Sequence, residues 1–380
     1  MTAIRTAFWN LQNLFDTTAS PIAADLEFTP DTGWTAEVQQ AKVRNLGRVI
    51  NGMFDGQGPD LLGICEIENV EVSLQLLAEL DRDDLVIAHV DSPDIRGIDC
   101  SLIFSEDRFE LAGEPVGHLV HLRYPTRDIF QVPLTVKENG ADLMVLVNHW
   151  PSRRMGAERT EPFRITVASH CGQLADTALK LPRADYLNAP DTPETMAVLQ
   201  ALWNGNVLIM GDLNDEPYNR SVMDELRASK GLDRLEESLK AGAGRRIPSV
   251  DKYLGLQAPL FNCMWPLASY PDQGTHYFSG SINTMNMLDQ FIVSRGLYYG
   301  LSGLRMGREF EIEFSEGEEE GHVVETARVA ADIFRPAYAA TARKGRPKAF
   351  EFWRDKTTGE AGHNNGFSDH FPIVTEIDVL

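Results

Sequence analysis

Several chemistries are excluded by what this chain does not contain. Its four cysteines, Cys65, Cys100, Cys171 and Cys263, form no CxxC pair, so a zinc cluster is not expected. Three of them sit in apolar or helical surroundings, where a free thiol behaves as a small hydrophobe, and all four are read as reduced. There is no GxSxG, hence no serine on a nucleophile elbow. The opening "MTAIRTAFWN" has no basic segment followed by an apolar run of about 7–15 residues. No stretch approaches the roughly 18 apolar residues of a membrane-spanning helix. As written, the chain is expected to be cytoplasmic with no membrane partner. No repeat recurs at a fixed period. Positive charge is scarce: 35 Lys and Arg against 56 Asp and Glu leave a net −21. That balance argues against a broad basic surface that wraps nucleic acid. It leaves room for an enzyme with a local positive groove, to which bound cations can contribute.

What is present is a globular composition. The 380 residues are 43% hydrophobic, 9% aromatic and 24% charged, enough for a sizeable core, and the length admits one large domain or two. We expect a single domain over 1–380 with an irregular loop insertion at about 305–365. That stretch holds an acidic segment, "FSEGEEEGH", and a basic one, "ARKGRPKAF", with Arg343, Lys344, Arg346 and Lys348; both read as exposed loops, and the basic one is a candidate for touching phosphate.

Short apolar runs bounded by Gly, Pro, Asp or Asn recur at Thr6–Trp9, Leu61–Cys65, Leu85–Val90, Ser101–Phe104, Ile129–Val136, Leu143–Val147, Val207–Met210, Leu288–Val293 and Ile373–Ile377, the signature of strands. Between Glu37 and Met53, Val43, Leu46, Ile50 and Met53 repeat at helical spacing, with Thr35 placed to cap the first turn. Further helices are expected over about 161–181, 193–203 and 222–229. A hairpin is expected from Leu102–Phe104 back through Phe109–Leu111. Strands, helices and hairpins together indicate an α/β fold with mixed sheets covered by helices.

The strand ends carry the chemistry. "NVLIMGDLNDEP" closes a buried run with Gly, Asp, Leu, Asn, Asp, Glu and Pro. Alone, these are ordinary turn residues. The other strand ends repeat the theme: Asn10 in "FWNLQN", Glu66 in "GICEIEN", Asn148 and His149 in "VNHW", Asp212 and Asn214 in "GDLN", Asp289 in "MLDQF", and Asp369 and His370 in "FSDHFP". Ligand-binding groups in sheet-based α/β folds collect at strand ends, where loops present them over a rigid platform. Carboxylates and amide oxygens suit a hard cation such as Mg²⁺ or Mn²⁺. Two histidines add hydrogen bonding or proton transfer. The set suits attack of water on a phosphate ester. Glu66 and Glu68 are two apart and would share a face of a strand, so either could be the ligand. Arg96, Arg153 and Arg154 are candidates for phosphate, and His276 with Tyr277 for lining a groove.

The ordered set of WN, E, NH, GDLN, LDQ and SDH, from "FWNLQNLFD" to "SDHFPIV", resembles the deoxyribonuclease-I-like endonuclease/exonuclease/phosphatase superfamily. "DSPDIRGIDCSLIF" and "NHWPSRRMGAERTEPFR" are similar to a bacterial branch of it. The resemblance implies a four-layered α/β sandwich, two mixed β-sheets flanked by helices, and metal-dependent hydrolysis of phosphoesters. It implies that Asn10 helps hold metal or its water, that Glu66 is the principal metal ligand and that Asp369 is a second-site carboxylate. It implies that His149 contacts the scissile phosphate or protonates the leaving group, and that Asp212 and Asn214 orient water and phosphate. His370 would bind phosphate or act as a base, oriented by Asp289. The family's QE dipeptide is Cys65-Glu66 here, which puts one polar contact near the metal in doubt. The expectation is a nuclease or phosphodiesterase acting on DNA or RNA. The alternatives are a phosphoesterase of small molecules or lipid headgroups and, more remotely, an inactive binding module.

Overall fold

The computed structural model describes residues 2–19, 25–186, 189–229, 255, 257–268, 273–279, 283–306, 310–312, 327–342 and 345–380. The whole acidic segment, together with Arg343 and Lys344, lies outside the described residues.

Two mixed sheets dominate. The first has, in spatial order, Leu304–Met306, Ile373–Val379, Ala3–Leu14, Leu61–Ile67, Asp99–Ser105 and Leu85–His89, with Asp332–Ile333 paired to Ile373–Val379. The second has Ala228–Ser229, Leu260–Asn262, Asp289–Ser294, Asn206–Asp212, Asp142–His149, Ile129–Val136 and Phe109–Leu111, with Val116–His118 on Ile129–Val136. At the centre of each, two strands run parallel, Ala3–Leu14 with Leu61–Ile67 and Asp142–His149 with Asn206–Asp212. Their other neighbours are antiparallel.

Apolar side chains from the inner faces of both sheets, among them Phe8, Cys65, Val145, Met210 and Phe291, form one shared core. The outer face of the first sheet is covered by helices Ala36–Asn51 and Val70–Leu77, through Val43, Leu46 and Ile50 on one and Val72 and Leu76 on the other. The outer face of the second is covered by helices Ala157–Ala178 and Pro193–Trp203. The order helix, sheet, sheet, helix is the expected four-layered α/β sandwich. Thr35 caps the first helix as expected, its side chain accepting from the Val38 N–H. All four cysteines are free and buried. No helix among the described residues is long and apolar enough to cross a membrane.

Two expected elements differ. Leu102–Phe104 and Phe109–Leu111 do not form a hairpin: the first belongs to one sheet and the second to the other, where it pairs with Ile129–Val136. The short turn carries the chain across the shared core, and Phe104 meets Phe109 edge-on with ring centroids 6.5 Å apart. Burial of both rings between the sheets outweighs local pairing. The helix expected over 222–229 is a single π turn, Ser221–Glu225, followed by strand Ala228–Ser229. Arg227 lies between them at φ 61°, a left-handed conformation that stops a helix.

Candidate active site

The site is built where strands change their course. Asn10 pairs with Cys65, but the next pairing joins Leu14 to Ile67, so Leu11–Asn13 loop out of the ladder opposite Glu66. On its other side Glu66 is again the extra residue, because Cys65 pairs with Cys100 and Ile67 with Asp99. A bulge breaks the alternation that would put Glu66 and Glu68 on one face, and re-aims one side chain. Glu66 lines the cavity. Glu68 instead turns to the Asp16 N–H, at 2.7 Å. Gln12, Asn13, Glu66 and Asn214 all have φ near +50° to +60°. Non-glycine residues avoid that region because Cβ crowds the following carbonyl, and such strain collects at functional sites.

The GDLN turn has a different cause. A Cβ on Gly211 would lie 2.2 Å from the Asn148 carbonyl oxygen of the neighbouring parallel strand. Glycine therefore lets the strands approach, and Asp212 and His149, paired in register, end them at the same level. Asp212 also pairs with Asp289 across the antiparallel neighbour. The SDH segment is tied to the first strand, with Ser368 Oγ donating to the Asn10 carbonyl at 2.7 Å and Trp9 Nε1 to the His370 carbonyl at 2.9 Å.

Around a cavity of about 170 Å³ stand Glu66, His149, Asp212, Asn214, Asp369 and His370, with Arg96, Arg153, Arg154, His276 and Phe278 at its walls. Asn10 and Asp289 stand directly behind. Asp289 Oδ2 is 2.6 Å from His370 Nδ1. Asn10 donates its amide to Asp212 at 3.1 Å and to Glu66 at 3.3 Å, while its Oδ1 accepts from the Gln12 N–H. Asn10, expected to help hold metal or its water, thus offers donors to the two carboxylates Glu66 and Asp212. His149 Nε2 lies 3.6 Å from Glu66 and 3.8 Å from Asp212.

Opposed environments separate the two histidines. Burial works against a charge on His370, yet Asp289 and Asp212 hold its pKa well above the ordinary value. Burial, followed by the Arg127 and Arg96 charges, holds His149 well below it. Burial also raises Asp212, to about 6, with Asp289 and Glu66 adding to the rise against the opposing pull of His370. Two titratable groups pushed apart in this way are suited to different protonation states at one pH.

Three expected residues are placed otherwise. Asn148 is fully buried on the far face of its strand and accepts from Trp150 Nε1 at 3.0 Å. It cannot touch substrate, because neighbours on a strand point to opposite faces and His149 has the site. Arg153 reaches the wall, but its guanidinium donates to the Asn214 carbonyl, Asp215 and Asn219. It clamps the GDLNDEP loop. Asp215, also bridged to Arg164 at 2.8 Å, and Glu216, which accepts from the Met287 N–H, serve the same loop. Arg346 lies over the Tyr277 ring, 3.2 Å from its centroid, so Tyr277 faces away from the groove. His276 and Phe278, two apart on the same strand, face the cavity. Phe278 is 50% exposed and escaped the sequence reading, although alternation from His276 could have found it.

A divalent cation fits this donor set. Glu66, Asp212, Asp289 and Asp369 have no lysine or arginine within ion-pairing distance among the described residues. Asp289 Oδ1 is buried without a hydrogen-bond partner. Ligand atoms of Asp212, Asp289 and His370, and of His276, Asp369 and His370, lie within 4.8 Å of one another.

The profile of the Endonuclease/Exonuclease/phosphatase family matches residues 5–187 and 193–379. No curated protein matches the chain. Among solved structures, the human Nocturnin catalytic domain with bound sulfate has 14% identity and a TM-score of 0.47, over 100% of this chain and 95% of its own. The Bacteroides thetaiotaomicron mannosyl-6-phosphatase has 14% identity and a TM-score of 0.47, over 99% of each chain. Truncated Caenorhabditis elegans TDP2 has 10% identity and a TM-score of 0.47, over 100% and 98%.

Proposed function

The chain belongs to the endonuclease/exonuclease/phosphatase family, and on that premise we propose that it is a divalent-metal-dependent phosphodiesterase acting on nucleic acid. One observation carries the reading: Glu66, Asp212 and Asp369 converge on one small cavity with no lysine or arginine within ion-pairing distance among the described residues, beside two histidines of opposed charge preference, one of them paired to Asp289. Like charges held that close call for a cation.

Glu66 and Asp369 would hold Mg²⁺ or Mn²⁺, which when bound neutralises charge developing on the phosphate. Asp212, whose carboxyl is raised to about 6, accepts the proton of the attacking water while Asn214 orients phosphate. The new bond joins the water oxygen to phosphorus as the bond to the ester oxygen breaks, and the departing oxygen takes its proton from solvent. His370, charged and fixed by Asp289, donates to a phosphate oxygen. His149, held neutral, serves as a phosphate contact, and the proton-donating role also expected for it falls away at neutral pH. Asn10 fixes the relative position of Glu66 and Asp212.

The cavity is below the roughly 300 Å³ of an ordinary ligand pocket, so it accepts the phosphate and leaves the rest of the substrate outside. There Phe278 offers a flat face for a base and Arg154 an exposed guanidinium, as in the recognition of single strands by stacking and backbone charge. A second reading, hydrolysis of small phosphoesters, is favoured by the −21 charge and by the commitment of Arg153 to the loop.

The test compares DNA, RNA, a minimal aryl phosphodiester and an aryl phosphomonoester, with Mg²⁺, Mn²⁺ or chelator. Hydrolysis is expected to vanish in chelator and to favour nucleic acid. Arg154→Ala should lower DNA cleavage several-fold, flatten its salt dependence by about one unit of slope and leave the minimal diester unchanged. Full activity in chelator sinks the metal reading. Equal losses on both substrates move the assignment to small phosphoesters.

A further inference from the structure

Outside the carboxylate cluster, Lys42 is the one lysine buried among the described residues. It lies on helix Ala36–Asn51, is 2% exposed and has no carboxylate within ion-pairing distance among the described residues. A surface lysine keeps its head in water and buries only its stem; this one turns inward. Its ammonium passes between Trp34 and Phe350, 5.9 and 5.5 Å from their ring centroids. It donates to the carbonyl oxygens of Gln12 and, at 3.3 Å, Asn13.

Those carbonyls belong to the segment that leaves the ladder opposite Glu66, with Gln12 at φ 55° and Asn13 at φ 56°. Two consecutive left-handed non-glycine residues are unfavourable and persist only where surrounding contacts over-determine them. The Gln12 side chain supplies part of the restraint, bonding to both N–H and C=O of Phe350. The held conformation has two products. The Asn13 N–H donates to Glu66 Oε2 at 2.9 Å, and Asn13 Oδ1 accepts from Arg96 Nη2 at 2.6 Å. If the segment fell back into regular pairing between Asn10 and Leu14, both would be lost.

We propose that Lys42 is a positioning residue of the active site: by binding the Gln12 and Asn13 carbonyls it holds the segment through which Asn13 aims Glu66 and Arg96. Burial pushes its ammonium down to about 7, against the pull of Asp369 and Glu66, which marks how unfavourable its place is without such a purpose. The proposal rests on Glu66 being a metal ligand, as read above.

The test uses Lys42→Met, which fills the space between Trp34 and Phe350 without donors, and Lys42→Gln, which returns N–H donors on a shorter arm. Three quantities are read: amide exchange across residues 10–16, Mn²⁺ affinity by electron paramagnetic resonance without substrate, and kcat and KM on the minimal diester. Lys42→Met should speed exchange at 10–16 while helix Ala36–Asn51 keeps its protection. Mn²⁺ affinity and kcat should each fall about 10–100-fold, the range for residues that orient a ligand, with KM nearly unmoved. Lys42→Gln should recover part of each loss. Wild-type exchange, affinity and kcat in Lys42→Met overturn the proposal. So does faster exchange spread evenly through the helix, which is a structural role only. If Lys42→Met does not fold, Lys42→Gln decides by the same measurements. A wild type that neither binds Mn²⁺ nor hydrolyses would refute the metal reading, while exchange at 10–16 still decides whether Lys42 braces the segment.

Discussion

Strand Leu61–Ile67 has a carboxylate at each end, and the two have opposite fates. Asp60, just before it, is 1% exposed and receives Arg5 and Arg82, each at 2.7 Å. Despite the cost of burial, those guanidiniums hold its carboxyl below the usual range. Asp84, bound by Arg82, is lowered to about 2. At the other end Glu66 finds a neutral histidine, an amide and further carboxylates. A buried charge that is fully paired maintains the fold. One left beside like charges maintains nothing by itself and keeps its affinity for something that arrives later. Strand-end carboxylates are therefore not a functional class; the presence of an arginine partner divides them.

The comparison breaks most sharply at Glu66. Glu66→Gln should lower kcat by about a thousandfold or more and weaken Mn²⁺ binding, with the fold intact, whereas Glu68→Gln should cost about tenfold or less. The reverse ranking would assign the ligand to Glu68. Next in size is the Asp289–His370 pair. Asp289→Asn and His370→Ala should each cost about a hundredfold, and the double variant little more than His370→Ala, because residues acting as a unit are not additive. Losses that multiply would mean separate roles.

At the paired end the sign of the comparison inverts. Asp60→Asn weakens the hydrogen bonds of two half-buried guanidiniums and should cost about 2 kcal/mol in urea unfolding, with kcat of the folded protein unchanged. A drop in kcat without a loss of stability would erase the distinction between the two ends.

The smallest effect is in pH. Asp212 is an acid whose folded pKa, about 6, lies above its unfolded value. The folded state therefore binds the proton more tightly, and metal-free stability falls as pH rises through the window from about 4 to 6. Asp84 acts the other way: with a folded pKa of about 2, its contribution is full above about 4 and lost below it. The metal-free melting temperature of the wild type relative to Asp212→Asn, which isolates this carboxyl, should thus be higher at pH 5.5 than at 7.5. A divalent cation at about 100 times its Kd should add roughly 2.7 kcal/mol at pH 7.5, and less at 5.5, where protons compete for Asp212. Equal cation stabilisation at both pH values would place the cation away from Asp212.

Much was legible in the chain before folding. Local patterns marked the central strands, the Thr35-capped helix and the Pro193–Trp203 helix, because periodicity records which face each element buries. Asn10, Glu66, His149, Asp212, Asn214, Asp289, Asp369 and His370 do meet at one place, because parallel central strands bring their ends to one level. Alternation alone would have removed Asn148 from the list, and it would have added Phe278.

What the sequence by itself determined was the inventory: which residue types stand at which strand ends, and the alternating and helical patterns that make those ends meet. Tertiary structure alone decided which charges remain unspent. Arg153 became a clamp because Asp215 and Asn219 lie within reach of it. Asp60 became structural because Arg5 and Arg82 converge on it from 55 and 22 residues away. The turn after Phe104 crossed between sheets because both phenylalanines had a shared core to enter. Lys42 turned inward because two left-handed carbonyls were waiting beneath it. Each of these outcomes depends on a partner distant in sequence, and pairing energy exists only once the chain has brought the partners within a few ångströms and excluded the water between them.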